Sequence, residues 1–143
     1  MELRGTPVQE GTGSGPLLVL RKPLSFWGGV DPLTGAVSDP RHPRHRERLT
    51  GRILVMERTI GSSSSSAIML ELLRNDVAPA GIVVGRPDAI LVLGILVARE
   101  LGYPTVPLLR VGEEAVARLQ MAEGKWGVIS GDSLRVEPAQ GSA

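Results

Sequence analysis

RILVMERTIGSSSSSAIMLELLRNDVAPAGIVV, residues 52–84, contains two short apolar runs separated by a serine-rich turn and a helical pattern. Uninterrupted apolar runs such as those at 52–56 and 81–84 are typical of strands buried on both faces, as in parallel sheets. The apolar spacing between them predicts a mostly buried helix that begins within the serines and ends near Asn75 or Asp76. These residues therefore predict a strand–helix–strand unit.

The sequence on both sides of this unit continues the alternation of strands and helices. Pro16–Leu20 and Thr105–Leu109 are predicted strands, and Ala89–Leu101 is a predicted helix with Asp88 as its N-cap. Because proline cannot donate to a neighbouring strand, Pro107 places its strand at an edge or a bulge. The central part of the chain thus predicts βαβ units with a parallel component.

The two ends of the chain add antiparallel structure to this prediction. Met1–Gly15 is rich in glycine and polar residues and is expected to hold at most one weak strand. Glu113–Glu123 predicts a short helix, and Trp126–Ser130 and Leu134–Glu137 predict a hairpin. We therefore expect one α/β domain over residues 1–143, with a mixed, barrel-like sheet flanked by helices.

Composition excludes several classes of function. The chain has 143 residues, a formal net charge of +1, no cysteine, two histidines and 3% aromatic residues. The balanced charge argues against a dedicated nucleic-acid-binding protein. The absence of cysteine excludes disulfides and thiolate-held metal clusters, and two histidines make a self-contained metal site improbable. We expect no metal bound by this chain, and any metal chemistry requires another chain.

Neither a targeting segment nor a membrane span is predicted. The first 15 residues contain no apolar run of signal-peptide length. The longest uncharged apolar run, Ala89–Ala98, is too short to cross a bilayer, which requires about 20 residues. A soluble cytoplasmic protein is expected.

The turn from Gly61 into Ser62 and Ser63 is the strongest local indication of chemistry. It joins a predicted strand to a helix N-terminus, where free N–H groups and the helix dipole favour an anion or a developing oxyanion. Glycine permits a tight turn and a close approach of the backbone to a ligand. The alternative, that the serines are simple helix caps, carries equal weight, because no Walker-type phosphate loop is present.

A second segment concentrates aromatic residues beside two glycines. Ser25, Phe26, Trp27, Gly28 and Gly29 form part of a turn-rich stretch in a chain with few aromatics. This stretch is a candidate for a loop that closes over a substrate or packs on a partner. A hydrophobic anchor that leads into a turn is the favoured interpretation on local pattern alone.

Two further features are interpreted as structural. Arg41–Arg48 contains four arginines and both histidines, and a solvated loop is favoured over a steering surface for an acidic partner. Glu71 lies among apolar residues of the first long helix, and a partly exposed helix position is favoured over a buried functional carboxylate.

Three segments together resemble the small "swivel" subunit of aconitase X in order and spacing. They are SFWGGVDPLTG at 25–35, RHP and GRILV within 41–55, and GSSSSSAIMLELLRNDVAP followed by LVLG within 61–94. The resemblance covers roughly Gly15 to Pro107. The bacterial pattern has a basic residue directly before the Gly-Ser turn, whereas this chain has isoleucine there and an arginine two residues earlier.

The resemblance implies a swivelling β/β/α domain and a hydro-lyase activity. In this family a large subunit holds an iron–sulfur cluster on its own cysteines, and the small subunit closes over the site. By position in the motif, Ser62 is implied as the proton acceptor. Gly61, Ser63 and the segment Ser25–Gly29 are implied as substrate-binding or closure candidates. A large subunit is the implied partner, in a heterodimer or a larger heteromer, and a small hydroxy acid is the implied ligand.

The resemblance leaves the substrate open. Dehydration of cis-3-hydroxy-L-proline to pyrroline-2-carboxylate is favoured, because the sequences of the SFWGGVD and serine segments resemble the bacterial type more closely. Dehydration of 5-phosphomevalonate, in the mevalonate pathway, is the alternative. A reading of another class is a non-catalytic anion-binding or interaction module that keeps the fold.

Overall fold

Eight strands form one mixed sheet in the computed structural model, which describes residues 1–59 and 64–137. The strands are β1 (Glu2–Arg4), β2 (Thr6–Gln9), β3 (Thr12–Leu20), β4 (Ile53–Met56), β5 (Gly81–Val84), β6 (Leu108–Arg110), β7 (Trp126–Ser130) and β8 (Ser133–Val136). The helices are the single turn α1 (Phe26–Gly29), then α2 (Ser65–Arg74), α3 (Ala89–Glu100), α4 (Glu113–Leu119) and a 3-10 turn at Gln120–Ala122.

The sheet curls into a nearly closed barrel. Its strand order is β1-β8-β7-β3-β4-β5-β6-β2, so β1 and β2 lie at opposite edges although only Gly5 separates them in the chain. Gly5 joins the two edges: its N–H donates to the Asp132 carbonyl oxygen (2.8 Å). A Cβ at Gly5 would lie 2.3 Å from the Arg110 carbonyl oxygen, so only glycine fits at this seam. The expectation of a mixed, barrel-like α/β sheet is confirmed.

Strand β3 connects the parallel and antiparallel parts of the sheet. Its first half, Thr12–Pro16, pairs antiparallel with β7, and its second half, Leu17–Leu20, pairs parallel with β4. Strands β4, β5 and β6 continue the parallel arrangement. The carboxyl ends of four adjacent strands therefore meet at one edge.

Aliphatic side chains fill both sides of the parallel strands. Leu18, Leu54 and Ile82 are fully buried in a cluster that includes side chains of α2 and α3. Their neighbours in the chain, Leu17 and Ile53, point to the opposite side, into a cluster that includes α4. Burial on both faces explains why these strands are uninterrupted apolar runs rather than alternating ones.

The predicted central elements are confirmed to within a few residues. Helix α2 begins inside the serine run, and Asp88 caps α3 by accepting a hydrogen bond from the Ile90 N–H (2.9 Å). The predicted hairpin is present as β7 and β8, and Gly131 in its turn has a positive φ of 59°.

The expectation of at most one weak strand in the first 15 residues is wrong. Three strands begin there, because each finds a pairing partner far away in sequence. The glycines that suggested a loop allow strands to approach instead. A Cβ at Gly13 would lie 2.1 Å from the Ala80 carbonyl oxygen, and one at Gly15 would lie 2.2 Å from that of Gly51.

Of the two positions expected for the strand with Pro107, the edge is wrong, whereas the bulge is present. β6 lies between β5 and β2, and Pro107 stands just before it, where its carbonyl oxygen accepts from the Ile82 N–H (2.9 Å). The irregularity lies in the partner strand, where the register shifts between Pro7 and Gln9.

Candidate active site

The carboxyl ends of the parallel strands bring four connecting segments to one edge of the sheet. These segments follow β3, β4, β5 and β6, and the one after β4 leads into the predicted catalytic turn. Ligands of open α/β sheets bind in the crevice outside the carboxyl ends of the strands. This edge is therefore the candidate active site.

The predicted catalytic turn itself, with Gly61, Ser62 and Ser63, lies outside the described residues, and the structure defines what stands before it. Thr59 is buried, and its hydroxyl donates to Asp88 Oδ2 (3.1 Å). The other oxygen of Asp88 caps α3, so one carboxylate ties the chain before the turn to a helix N-terminus. Thr59 also bridges to Leu24, which leads into the aromatic segment.

The chain after the turn is a helix N-terminus. Ser64 precedes α2, and its carbonyl oxygen accepts from the N–H groups of Ala67 (3.1 Å) and Ile68 (3.3 Å). Ser65 is 1% exposed, and within the described residues its hydroxyl oxygen has no hydrogen-bond partner. The positive end of the helix dipole therefore lies directly after the turn. Sequence patterning could not separate the buried Ser65 from its neighbours, because all five serines are identical in type.

The aromatic segment has one buried and one exposed ring. Phe26 is fully buried, whereas Trp27 is 57% exposed. Ser25 donates through its hydroxyl to the Trp27 carbonyl oxygen (3.0 Å), and Gly28 adopts a positive φ of 76° with open space on its side-chain side. Gly29 is buried, and a Cβ there would lie 3.1 Å from Leu24 Cδ1. Phe26 anchors the segment, and the indole of Trp27 remains available for contact.

A cavity of about 240 Å³ opens at the carboxyl ends of β3 and β4. Sequence reasoning did not single out its polar residues. Three of them are cationic and come from the two segments that follow these strands: Arg21, Lys22 and Arg58. The carboxylates that line it are Glu57 and Glu113. Its remaining lining is Leu20, Pro23, Val116, Ala117 and Gln120.

The Arg41–Arg48 loop is largely exposed, as the sequence suggested, but one of its histidines is buried. His42 is 7% exposed, and its Nδ1 accepts from the Arg44 N–H (3.0 Å). Nε2 therefore carries the ring hydrogen and donates to the Lys22 carbonyl oxygen (3.2 Å). The histidine thus holds the backbone of one residue that lines the cavity.

An ion-pair cluster holds the other side of this loop. Glu47 accepts from Arg44 (3.0 Å) and Arg52 (3.3 Å), and Arg44 also pairs with Glu123. Burial alone raises the pKa of Glu47, but hydrogen bonds and charge from Arg44 and then Arg52 outweigh it, so its pKa lies below the usual range. The sequence did not predict this ion-pair cluster, because Glu123 is distant in the chain from the arginines. Glu71 is partly exposed beside Arg74 (3.4 Å), as predicted.

The described residues do not fit a metal centre. Within residues 1–59 and 64–137, no three His, Asp or Glu side chains are grouped so that they could hold a metal ion. The sequence has no cysteine, so this chain offers no thiolate ligand to an iron–sulfur cluster. In the same ranges no helix is long and apolar enough to cross a membrane.

The model of the aconitase X swivel domain matches residues 2–137, almost the whole described chain. The chain belongs to the aconitase X swivel domain family. A crystal structure of Thermococcus kodakaraensis aconitase X superimposes with a TM-score of 0.82 at 28% identity, covering 96% of this chain and 98% of that one. The resemblance and the swivel fold expected from the sequence are confirmed.

Relatives of two names match this member of the aconitase X swivel domain family. A cis-3-hydroxy-L-proline dehydratase of Pseudomonas aeruginosa is 44% identical over 103 residues, which are 72% of this chain. A phosphomevalonate dehydratase small subunit of Thermococcus gammatolerans is 37% identical over 136 residues, covering 92% of this chain and all of the relative. The chain spans only 18% of the length of the Pseudomonas relative. Both relatives are dehydratases by name.

Proposed function

We propose that this chain is the small subunit of an aconitase X-type dehydratase and supplies the proton acceptor, Ser62, for the removal of water from a small hydroxy acid. The observation that carries the proposal is the match of the family's swivel domain to this chain, in which β4, the strand that precedes the serine turn in sequence, ends at the carboxyl edge of the parallel strands. Thr59 bound to Asp88 stands before that turn, and α2 begins after it.

The chemistry suits a serine at such a position. The base takes a proton from one carbon, the electron pair of that C–H bond forms a double bond, and hydroxide leaves from the adjacent carbon. Proton and hydroxide together make water, so no oxidant or reductant is needed. A serine hydroxyl is a weak base unless its anion is stabilised. Backbone N–H groups and the dipole of α2 supply that stabilisation, and a partner that excludes water strengthens it.

The proposal includes a large subunit as partner. The matching segment makes up 18% of the Pseudomonas relative, so in that protein it belongs to a larger polypeptide. On α3 and at its C-cap, Leu93, Val97 and Leu101 follow at intervals of four residues and are 50%, 36% and 56% exposed. Leu93 also lines two adjacent apolar grooves, one of them between α2 and α3. Contiguous exposed apolar surface of this kind marks an interaction site.

The proposal places the iron–sulfur cluster on the cysteines of the large subunit, since this chain has none. What this chain contributes is the base, the closure of the site and the orientation of substrate groups near the carboxyl edge. Trp27, exposed beside Gly28 with its positive φ, is a candidate for closure over the substrate.

We propose cis-3-hydroxy-L-proline as the first substrate candidate, supported by the 44% identity to the Pseudomonas dehydratase. 5-Phosphomevalonate is the second candidate, favoured by a specific observation: three cationic side chains line the cavity at the carboxyl edge. A doubly charged phosphate group gains more from such a lining than a carboxylate does.

Reconstitution with the large subunit tests this function. The pair is purified together and assayed on both substrates for loss of water, with each subunit alone as the control. Turnover of one substrate by the pair, and by neither subunit alone, supports the proposal. A pair that forms but dehydrates neither substrate, or a chain that assembles with no large subunit, supports the non-catalytic module instead.

A further inference from the structure

We propose that the cavity lined by Arg21, Lys22 and Arg58 is the subsite for the anionic group of the substrate, a carboxylate or a phosphate monoester. The inference rests on the proposed function and names the part of the ligand that this chain recognises. It adds a binding role to three residues that do not belong to the serine turn.

These three cations have no ion-pair partner among the described residues. Other arginines near them are neutralised: Arg44 pairs with Glu47, and Arg86 pairs with Glu113 (2.9 Å). Since Arg86 already pairs with Glu113, Glu57 is the one carboxylate that remains, among the described residues lining the cavity, to balance three cations. The lining therefore carries an excess of positive charge that an anion would neutralise.

The backbone at Arg21, Lys22 and Arg58 is fixed by its neighbours. Lys22 is held through its carbonyl oxygen by the buried His42 (3.2 Å). Arg58 directly precedes Thr59, whose hydroxyl is bound to Asp88 (3.1 Å). Arg21 directly follows Leu20, the buried end of β3. Fixed backbones reduce the entropy lost when long cationic side chains close on a ligand.

The size and lining of the cavity suit a single anionic group. A volume of about 240 Å³ is below the roughly 300–1,000 Å³ of complete ligand pockets, so it suits one group of a substrate whose remainder faces the partner. An arginine guanidinium binds a carboxylate or phosphate through two parallel hydrogen bonds, and the cavity offers two guanidinium groups. In the sequence, Arg58 is four residues before Ser62, the proposed base.

Anion binding by the full chain tests the subsite without any turnover. Inorganic phosphate and acetate are titrated separately into the ¹⁵N-labelled protein at constant ionic strength, and amide shifts are followed by NMR. We expect saturable shifts at residues 20–22 and 57–59. Arg58→Gln and the double variant Arg21→Gln/Lys22→Gln should each weaken binding by about tenfold. The matched control is Arg118→Gln, which removes an exposed cation of α4 outside the cavity lining.

The inference is overturned if the shifts do not saturate, or if Arg118→Gln weakens binding as much as the cavity variants. Saturable binding that only the cavity variants weaken supports it. The folded state of each variant is checked by its amide spectrum before titration, and Arg58→Lys, which keeps the charge, should retain part of the affinity.

Kinetics of the reconstituted pair identify the anion and separate this inference from the proposed function. The cavity variants should raise KM by about tenfold and change kcat little, because the residues they replace bind an anionic group that the reaction leaves intact. If KM increases only for 5-phosphomevalonate, the subsite binds a phosphate. If KM increases for hydroxyproline, the subsite binds a carboxylate. Normal KM values in an active pair overturn the subsite alone. An inactive pair overturns the proposed function, while anion binding by the single chain still reports on the cavity.

Discussion

Replacing Thr59 by valine isolates the hydrogen bond that fixes the chain before the catalytic turn. The substitution removes the hydroxyl that donates to Asp88 Oδ2 (3.1 Å) and leaves the shape of this buried side chain nearly unchanged. A hydrogen bond to a charged acceptor contributes about 1.5–3 kcal/mol. Asp88 keeps its capping bond to Ile90 and is half-buried, so water compensates in part. We expect a loss of about 1.5 kcal/mol in the free energy of unfolding.

Two assays measure this effect. Urea unfolding of the chain should show the loss of stability, which corresponds to a decrease in Tm of roughly 3–6 °C for a domain of this size. In the reconstituted pair, kcat should fall because the chain that leads into the proposed base loses an anchor, and small misplacements of a catalytic group cost large factors in rate. Thr12→Val, at an exposed strand position, is the matched control. If Thr59→Val matches Thr12→Val in both stability and kcat, the anchoring role assigned to this hydrogen bond is refuted.

Three other changes have defined outcomes. The pKa of Glu47 is lowered in the folded state, so its contribution to stability is present above its unfolded pKa of about 4.3 and is lost as pH falls through the lower folded value. Glu47→Gln should therefore be less stable than wild type at pH 7. In urea unfolding, this difference in stability should shrink below about pH 4. Gly15→Ala places a methyl group 2.2 Å from a backbone oxygen and should destabilise by more than about 3 kcal/mol or prevent folding, whereas Ser14→Ala at the neighbouring exposed position should fold normally, as read by circular dichroism. Leu93→Asp should weaken co-purification with the large subunit by at least tenfold, and an equal effect of Met121→Asp, which is 89% exposed on another surface, would exclude a specific role of α3.

The parallel unit was predictable because its residues show their environment locally. Ile53–Met56 and Gly81–Val84 are uninterrupted apolar runs, and they form the two central parallel strands. The position of Asp88 directly before an apolar helix predicted that its side chain would cap that helix. In each case the determining interactions lie within a few residues or depend on burial alone, so composition at that point in the chain carries the information.

The first strands and the cationic cavity were not predictable, because they depend on partners distant in sequence. Gly13 and Gly15 are typical of loops, yet here they let backbones approach within a closed sheet. Arg21 and Arg58 are unremarkable in sequence and meet only because β3 and β4 are parallel neighbours. His42 was interpreted as part of a solvated loop, because nothing nearby in sequence shows that its ring reaches the backbone at residue 22.

The central claim is that Ser62 accepts the substrate proton, and it is tested most directly by Ser62→Ala in the reconstituted pair. The account predicts that the variant pair assembles normally, loses turnover by at least a thousandfold, and no longer exchanges the substrate's carbon-bound hydrogen with deuterated solvent. Ser130→Ala, at an exposed position in β7, should leave all three measurements unchanged. Near-normal turnover or hydrogen exchange in an assembled Ser62→Ala pair would contradict the account.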